Sequence, residues 1–124
     1  MAFGKILFVS GNPSLCYVFQ TLFADRFKIY CAKDPGQAQQ LLRHHHPGVL
    51  IVDLDFDTEE NVELVQYIQS SWLHAVPVVA LSTDQHVLDL LPAGDNLQHF
   101  HKPFNPLNLL EKATELMTAP TAVV

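Results

Sequence analysis

The sequence predicts one α/β domain, a five-stranded parallel sheet that is doubly wound, each strand being followed by a helix. Three observations predict it. Short, uninterrupted apolar runs recur at Ile6 to Val9, Val49 to Val52 and Val78 to Leu81, the pattern of strands covered on both faces. Stretches with helical apolar spacing lie between them. Three of those stretches open on the same start signal, an Asx residue before proline: Asn12-Pro13, Asp34-Pro35 and Asn105-Pro106. Parallel strands joined by right-handed crossovers place such helices on both faces of the sheet.

Each element follows in order. The first strand, Ile6 to Val9, leads into a helix with Leu15, Val18, Phe19 and Leu22 at i, i+3, i+4 and i+7. Phe27, Ile29 and Cys31 alternate with Lys28 and Tyr30, which suits a strand nearer an edge. Ala38, Leu41 and Leu42 mark the second helix, and Val49 to Asp53 is the third strand. Leu64, Val65 and Ile68 mark the third helix, for which Asp57 and Glu60 offer a capping pair. Pro77 to Ser82 is the fourth strand, and the short helix after it, Gln85 to Leu91, is stopped by Pro92. Gln98 to His101 makes a short fifth strand, and Leu109, Leu110, Ala113 and Met117 the last helix. At each Asx-Pro start the side chain can cap free N–H groups. Proline takes the first helical position, where its missing donor costs nothing. The domain is expected over residues 1–117, with 118–124 a tail or the start of a linker.

Composition narrows the function. The 124 residues suit one ordinary domain, and 48% hydrophobic residues argue against disorder. A net charge of -6 with seven Lys and Arg is wrong for a nucleic-acid binder, which must neutralise phosphates. No apolar run approaches a membrane span and no charged-then-apolar leader opens the chain, so a cytoplasmic location away from the membrane is expected. Cys16 and Cys31 are read as buried thiols in a reducing compartment rather than as a disulfide.

In such sheets ligands bind at the carboxyl ends of the strands. The first strand delivers Ser10 and Gly11, the third Asp53 followed by Asp55 and Asp57, the fourth Ser82 and Thr83, and the fifth Lys102 before Pro103 and Phe104. One carboxylate, one hydroxyl and one ammonium thus converge from three strands. A carboxylate ending the apolar run Val49 to Val52 is costly unless it is paired or functional.

VLIVDLD, PVVALST and HKPF, in this order and at these separations, resemble the receiver (CheY-like) domains of two-component response regulators, over roughly Lys5 to Met117. The resemblance implies the flavodoxin-like receiver fold. It puts Asp53 at the phospho-acceptor position, Lys102 at the invariant-lysine position and Ser82 at the Thr/Ser switch position. His99 stands at the aromatic switch position, and a cis peptide is implied between Lys102 and Pro103. It further implies a signalling module rather than an enzyme that releases a product. Its partner or dimer face is the surface made by the fourth helix, fifth strand and fifth helix, where His86, His99 and His101 add titratable character. A histidine kinase and a second copy of the chain are the other partners implied.

The sequence departs from that pattern where the metal belongs. A typical receiver ends its first strand with two acidic residues that hold Mg²⁺; here Ser10 and Gly11 stand instead. Ser10 offers one neutral oxygen and Gly11 none, so no cofactor is expected, and Asp55 is the residue to supply a relocated carboxylate if a metal binds. Asp57 reads as a solvated loop or helix-cap residue. Two functions follow: a receiver acting by protein–protein contact with Mg²⁺-dependent phosphorylation of Asp53 lost or weakened, or one that still accepts a phosphoryl group there with Mg²⁺. In the first, Lys102 forms a standing ion pair with Asp53, with no other obvious competitor for its ammonium. A nucleotide- or metabolite-binding enzyme of flavodoxin-like fold fares worse, because GNPS is no phosphate cradle and no G-x-G-x-x-G or Walker pattern occurs. His44-His45-His46 ends a helix, where adjacent side chains diverge and suit the helix dipole better than one metal ion.

Overall fold

The computed structural model describes residues 4–71, 75–91, 94 and 96–118. Strands and helices alternate throughout: β1 (Gly4–Val9), α1 (Pro13–Phe23), β2 (Phe27–Ala32), α2 (Pro35–His45), β3 (Val49–Asp53), α3 (Thr58–Ser70), β4 (Val78–Ser82), α4 (Gln85–Asp89), β5 (Leu97–His101) and α5 (Pro106–Thr118). The strands form one sheet in the order β2-β1-β3-β4-β5, and every neighbouring pair is parallel. β2 is an edge strand, as its alternation predicts. Pro92 and the tail beyond Thr118 lie outside the described residues.

The apolar runs split by parity. Leu7, Val9, Leu50, Val52, Val78 and Ala80 face one side, against Ala38 and Leu42 of α2, Val65 and Ile68 of α3 and Leu88 of α4. Ile6, Phe8, Val49, Ile51, Val79 and Leu81 face the other, against Phe19 and Phe23 of α1 and Leu109 and Ala113 of α5. Strand residues alternate faces, so a continuous apolar run is required wherever both faces are covered. Every residue of β3 and β4 is buried. A carboxylate at the end of β3 is therefore cut off from solvent by construction.

Helix starts follow the expected chemistry. Asn12 Oδ1 accepts the N–H groups of Ser14 and Leu15, Asp34 Oδ1 that of Gln37, and Asn105 Oδ1 that of Leu107. Three expectations need correction. In α1 the packed stripe runs through the half-buried Leu15 and the buried Phe19 and Phe23, while Val18 and Leu22 are 42% and 43% exposed. Phe19 packs edge-on to Phe8 at 4.6 Å and stacks on Phe23 at 5.3 Å. A fully buried aromatic contributes roughly 1.5–3 kcal/mol, enough to set the helix rotation.

Asp57 and Glu60 make no capping pair. Asp57 is left-handed, at φ 45°, and its side chain makes no cap hydrogen bond. Thr58 Oγ1 donates to the Leu54 carbonyl and the Asn61 amide to the Phe56 carbonyl, so neighbours staple the loop instead. Finally, Cys16 and Cys31 form a disulfide rather than two thiols. The first turns of α1 lie over β2, which brings the two Cα atoms to 6.4 Å, within bonding range.

Candidate functional site

Asp53 ends β3, between β1 and β4 in the sheet, and is fully buried. Its Oδ2 accepts the Ser10 hydroxyl at 2.8 Å. Its Oδ1 accepts the Lys102 ammonium at 2.8 Å and the Asp55 N–H at 3.0 Å. Ser10, 5% exposed, is itself held, because its Oγ accepts the Asn12 N–H at 3.0 Å. The β1 exit thus gives Asp53 one oriented neutral donor and no charge.

Lys102 stands just beyond β5, where its N–H donates to the Ser82 carbonyl at 2.9 Å. The Lys102–Pro103 peptide is cis, as the resemblance implies. Lys102 does not belong to Asp53 alone: its Nζ also lies 3.0 Å from Asp55 Oδ2. That corrects the expectation of an uncontested pair, and the reason is local. The Asp55 N–H on Asp53 turns the loop back over the strand end, bringing the second carboxylate to the same ammonium. Burial alone would lower Lys102, but the hydrogen bonds and charges of Asp53 and Asp55 raise it above the ordinary lysine value.

Asp55 gathers more donors than Asp53. Its Oδ1 accepts the Ser82 hydroxyl at 2.9 Å, the Thr83 N–H at 3.0 Å and the Thr83 hydroxyl at 3.2 Å. Burial raises its carboxyl, but the Thr83 N–H, Lys102 and Ser82 outweigh that and hold it below the usual carboxylate range. Ser82 is fully buried and also accepts the Asp84 N–H at 2.9 Å, while Asp84 caps α4 through the His86 N–H. One hydroxyl therefore links Asp55 to the start of α4.

His99 does not join this cluster. It sits mid-β5, half-buried, with Nε2 against the Leu91 carbonyl just past α4. His101 and His86 are exposed. The three adjacent histidines diverge: His45 stacks on Tyr30 at 4.0 Å, and His46 caps α2 in the left-handed region.

Two contributors escaped the sequence reading. Asn61 is 1% exposed, and its Nδ2 reaches the Phe56 carbonyl at 2.7 Å and that of Asp53 at 3.4 Å, fixing the loop that carries Asp55. Its signal was present, since Asn61 shares the apolar stripe of Leu64, Val65 and Ile68. Phe56 is the other. A Cβ on Gly11 would meet the Phe56 ring at 2.8 Å, so the ring fills the space beside Gly11 that an acidic side chain would need.

The fold implies Mg²⁺ in this pocket, but the donor set does not fit it. Both Asp53 oxygens and both Asp55 oxygens already accept hydrogen bonds, and the two carboxylates share one cation, Lys102. Ser10 is committed as donor and acceptor, and Phe56 covers Gly11. Among the described residues no group of three or more His, Cys, Asp or Glu is placed to hold a metal. Nor is any described helix long and apolar enough to cross a membrane.

No family model matches the chain, and no curated relative does. Solved structures do match along nearly its whole length. The N-terminal signal receiver domain of a two-component response regulator from Bacteroides fragilis is 21% identical with a TM-score of 0.82, covering 96% of this chain and 100% of that one. A response regulator from Thermotoga maritima is 23% identical with a TM-score of 0.78, covering 95% and 100%. The chemotaxis response regulator CheY4 of Vibrio cholerae is 20% identical with a TM-score of 0.75, covering 93% and 99%. The chain has the flavodoxin-like fold of response-regulator receiver domains.

Proposed function

We propose that the chain is an atypical receiver domain that signals by protein–protein contact, with phosphorylation of Asp53 lost or strongly weakened. One observation carries this reading: Lys102 bridges Asp53 at 2.8 Å and Asp55 at 3.0 Å, so the cation is already spent on two carboxylates. Phosphoryl transfer to a carboxylate brings anions together, and its catalysis is mostly positioning and charge neutralisation. With Ser10 and Gly11 in place of an acidic pair, little is left to offset the developing charge. Losing one such stabilising contact typically costs about 3–4 kcal/mol of barrier, roughly a hundred- to thousand-fold in rate.

Exposed apolar side chains at the end of α4 and on α5 support the reading. Leu90, just past α4, and Leu107, in α5, are 58% and 57% exposed, and His101 at the end of β5 is exposed. α4 is tied at one end through Asp84 and Ser82, while His99 holds Leu91 just past the other. Such a surface is presented in one fixed arrangement.

The second reading, a phospho-accepting domain served by a histidine kinase, draws on the retained Asp53–Lys102 contact. Intact-mass spectrometry after incubation with acetyl phosphate and Mg²⁺ separates the two. No added phosphoryl group is expected; a stoichiometric gain that maps to Asp53 would establish the second reading.

A further inference from the structure

The donors of this pocket gather on both carboxylates, three on Asp53 and four on Asp55, with the Lys102 ammonium shared between them. Lys102 Nζ, beyond β5, lies 3.0 Å from Asp55 Oδ2. Ser82 Oγ, at the end of β4, lies 2.9 Å from its Oδ1. From the β4–α4 turn the Thr83 N–H reaches Oδ1 at 3.0 Å and Oδ2 at 3.3 Å, and the Thr83 hydroxyl reaches Oδ1 at 3.2 Å. Four donor groups thus crowd onto two oxygens, one of them cationic and one on the fully buried Ser82. A solvated loop aspartate needs none of these, because water satisfies it. Four donors match the acceptor sites of one carboxylate, and the same donors can serve another oxyanion in its place.

We propose, resting on the receiver reading above, that the pocket is an oxyanion site whose resident anion is the chain's own Asp55 carboxylate. It stands beside Asp53 where a phosphoryl group or another tetrahedral oxyanion would take the same donors. The site is therefore occupied without any transfer. Asp55 stays ionised through the neutral range, since the donors hold its carboxyl below the usual value. Its position is fixed from below as well, by its own N–H on Asp53 at 3.0 Å. The occupancy reaches α4 directly: Ser82 donates to Asp55 while accepting the Asp84 N–H, and Asp84 caps that helix. The occupied site is thus linked by hydrogen bonds to the start of α4, on the α4–β5–α5 surface. Asp55 is the specificity-determining residue that excludes external anions.

The test is a titration of ¹⁵N-labelled protein with inorganic phosphate, against sodium chloride at matched ionic strength. The wild type should show no saturable shift at Thr83. Asp55→Ala frees the donors and should bind phosphate roughly ten-fold or more tightly than the wild type, with the largest shifts at residues 55 and 83. Asp55→Ser serves if the alanine variant does not fold, because it keeps one acceptor for the Thr83 N–H. The proposal is overturned if folded variants bind phosphate no better than the wild type. Saturable binding by the wild type at those amides would overturn it too, whatever the variants do. Failure here with an unphosphorylated wild type leaves the receiver reading standing, whereas phosphorylation of the wild type removes that reading itself.

Discussion

Replacing Lys102 by methionine keeps the packing of the stem and removes the charge that both carboxylates share. Breaking a buried ion pair by deleting one partner costs about 3–5 kcal/mol, because a buried charge is left uncompensated. Two features reduce that figure here. Asp53 keeps the Ser10 hydroxyl and the Asp55 N–H. The Lys102 and Asp55 side chains are 17% and 21% exposed, so their contact is partly screened by solvent and adds no more than about 1 kcal/mol. A net loss of about 2–4 kcal/mol is expected. With a urea m-value of about 2 kcal/mol/M, the midpoint should fall by about 1–2 M. Urea denaturation followed by far-UV circular dichroism reads this directly.

The pH dependence has a definite sign. Lys102 is raised in the folded state, so its contribution is complete below the ordinary lysine value and is lost as pH climbs through the raised one. Asp55, the other partner of the ammonium, is lowered on folding, so the wild type loses that share of the contact as pH falls through the folded value. The gap between variant and wild type should thus be widest at neutral pH and narrow in both acid and strong alkali. A loss below about 1 kcal/mol at neutral pH would place the pair among weak surface contacts and refute the reasoning. So would a gap that does not change on acidification.

Other substitutions test the supports of the site. Asn61→Ala should cost about 1–3 kcal/mol, since it strands the Phe56 carbonyl, and should speed hydrogen exchange at Asp55 and Phe56. Asp55→Asn should show its deficit fully at neutral pH: Asp55 is lowered on folding, so its contribution is present above the unfolded value and lost as pH falls through the folded one. That deficit should therefore begin to close below about pH 3.9 in an acid titration of stability and vanish as pH falls through the lower folded value. His46→Gly should stabilise the chain by about 0.5–1 kcal/mol in thermal denaturation, because His46 caps α2 at φ 47° and glycine adopts that conformation freely.

Elements with strong local signals were legible in the sequence. The continuous runs of β1, β3 and β4, the alternating β2 and the three Asx-Pro starts all translate into the structure, because burial and capping act through the residues that carry them. Asp53, Ser82, Lys102 and Ser10 come together because each sits at a strand end, and parallel order alone brings strand ends into one crevice. What could not be read depends on loop geometry and on contacts distant in sequence. Periodicity placed Leu15 and Phe19 on the packed face of α1 but took Val18 and Leu22 for Phe23, because the aromatic contacts from Phe8 through Phe19 to Phe23 fix its rotation. Asp57 is left-handed, so its side chain cannot cap α3. The Cys16–Cys31 bond depends on how α1 lies over β2. Asp55 reads from the sequence as a carboxylate available to a metal, and only its own N–H folding back on Asp53 turns it toward Lys102, Ser82 and Thr83.

The central claim is that the pocket's charges are satisfied from within the chain, which a Mg²⁺ titration of the unmodified protein tests most directly. Amide shifts at Asp53, Asp55 and Thr83 should change only weakly and without saturation. A variant carrying Ser10→Asp and Gly11→Asp, with Phe56→Ala to clear the ring from Gly11, should saturate at much lower Mg²⁺. Saturation of the unmodified chain at submillimolar Mg²⁺, with shifts centred on Asp53 and Asp55, would contradict the account.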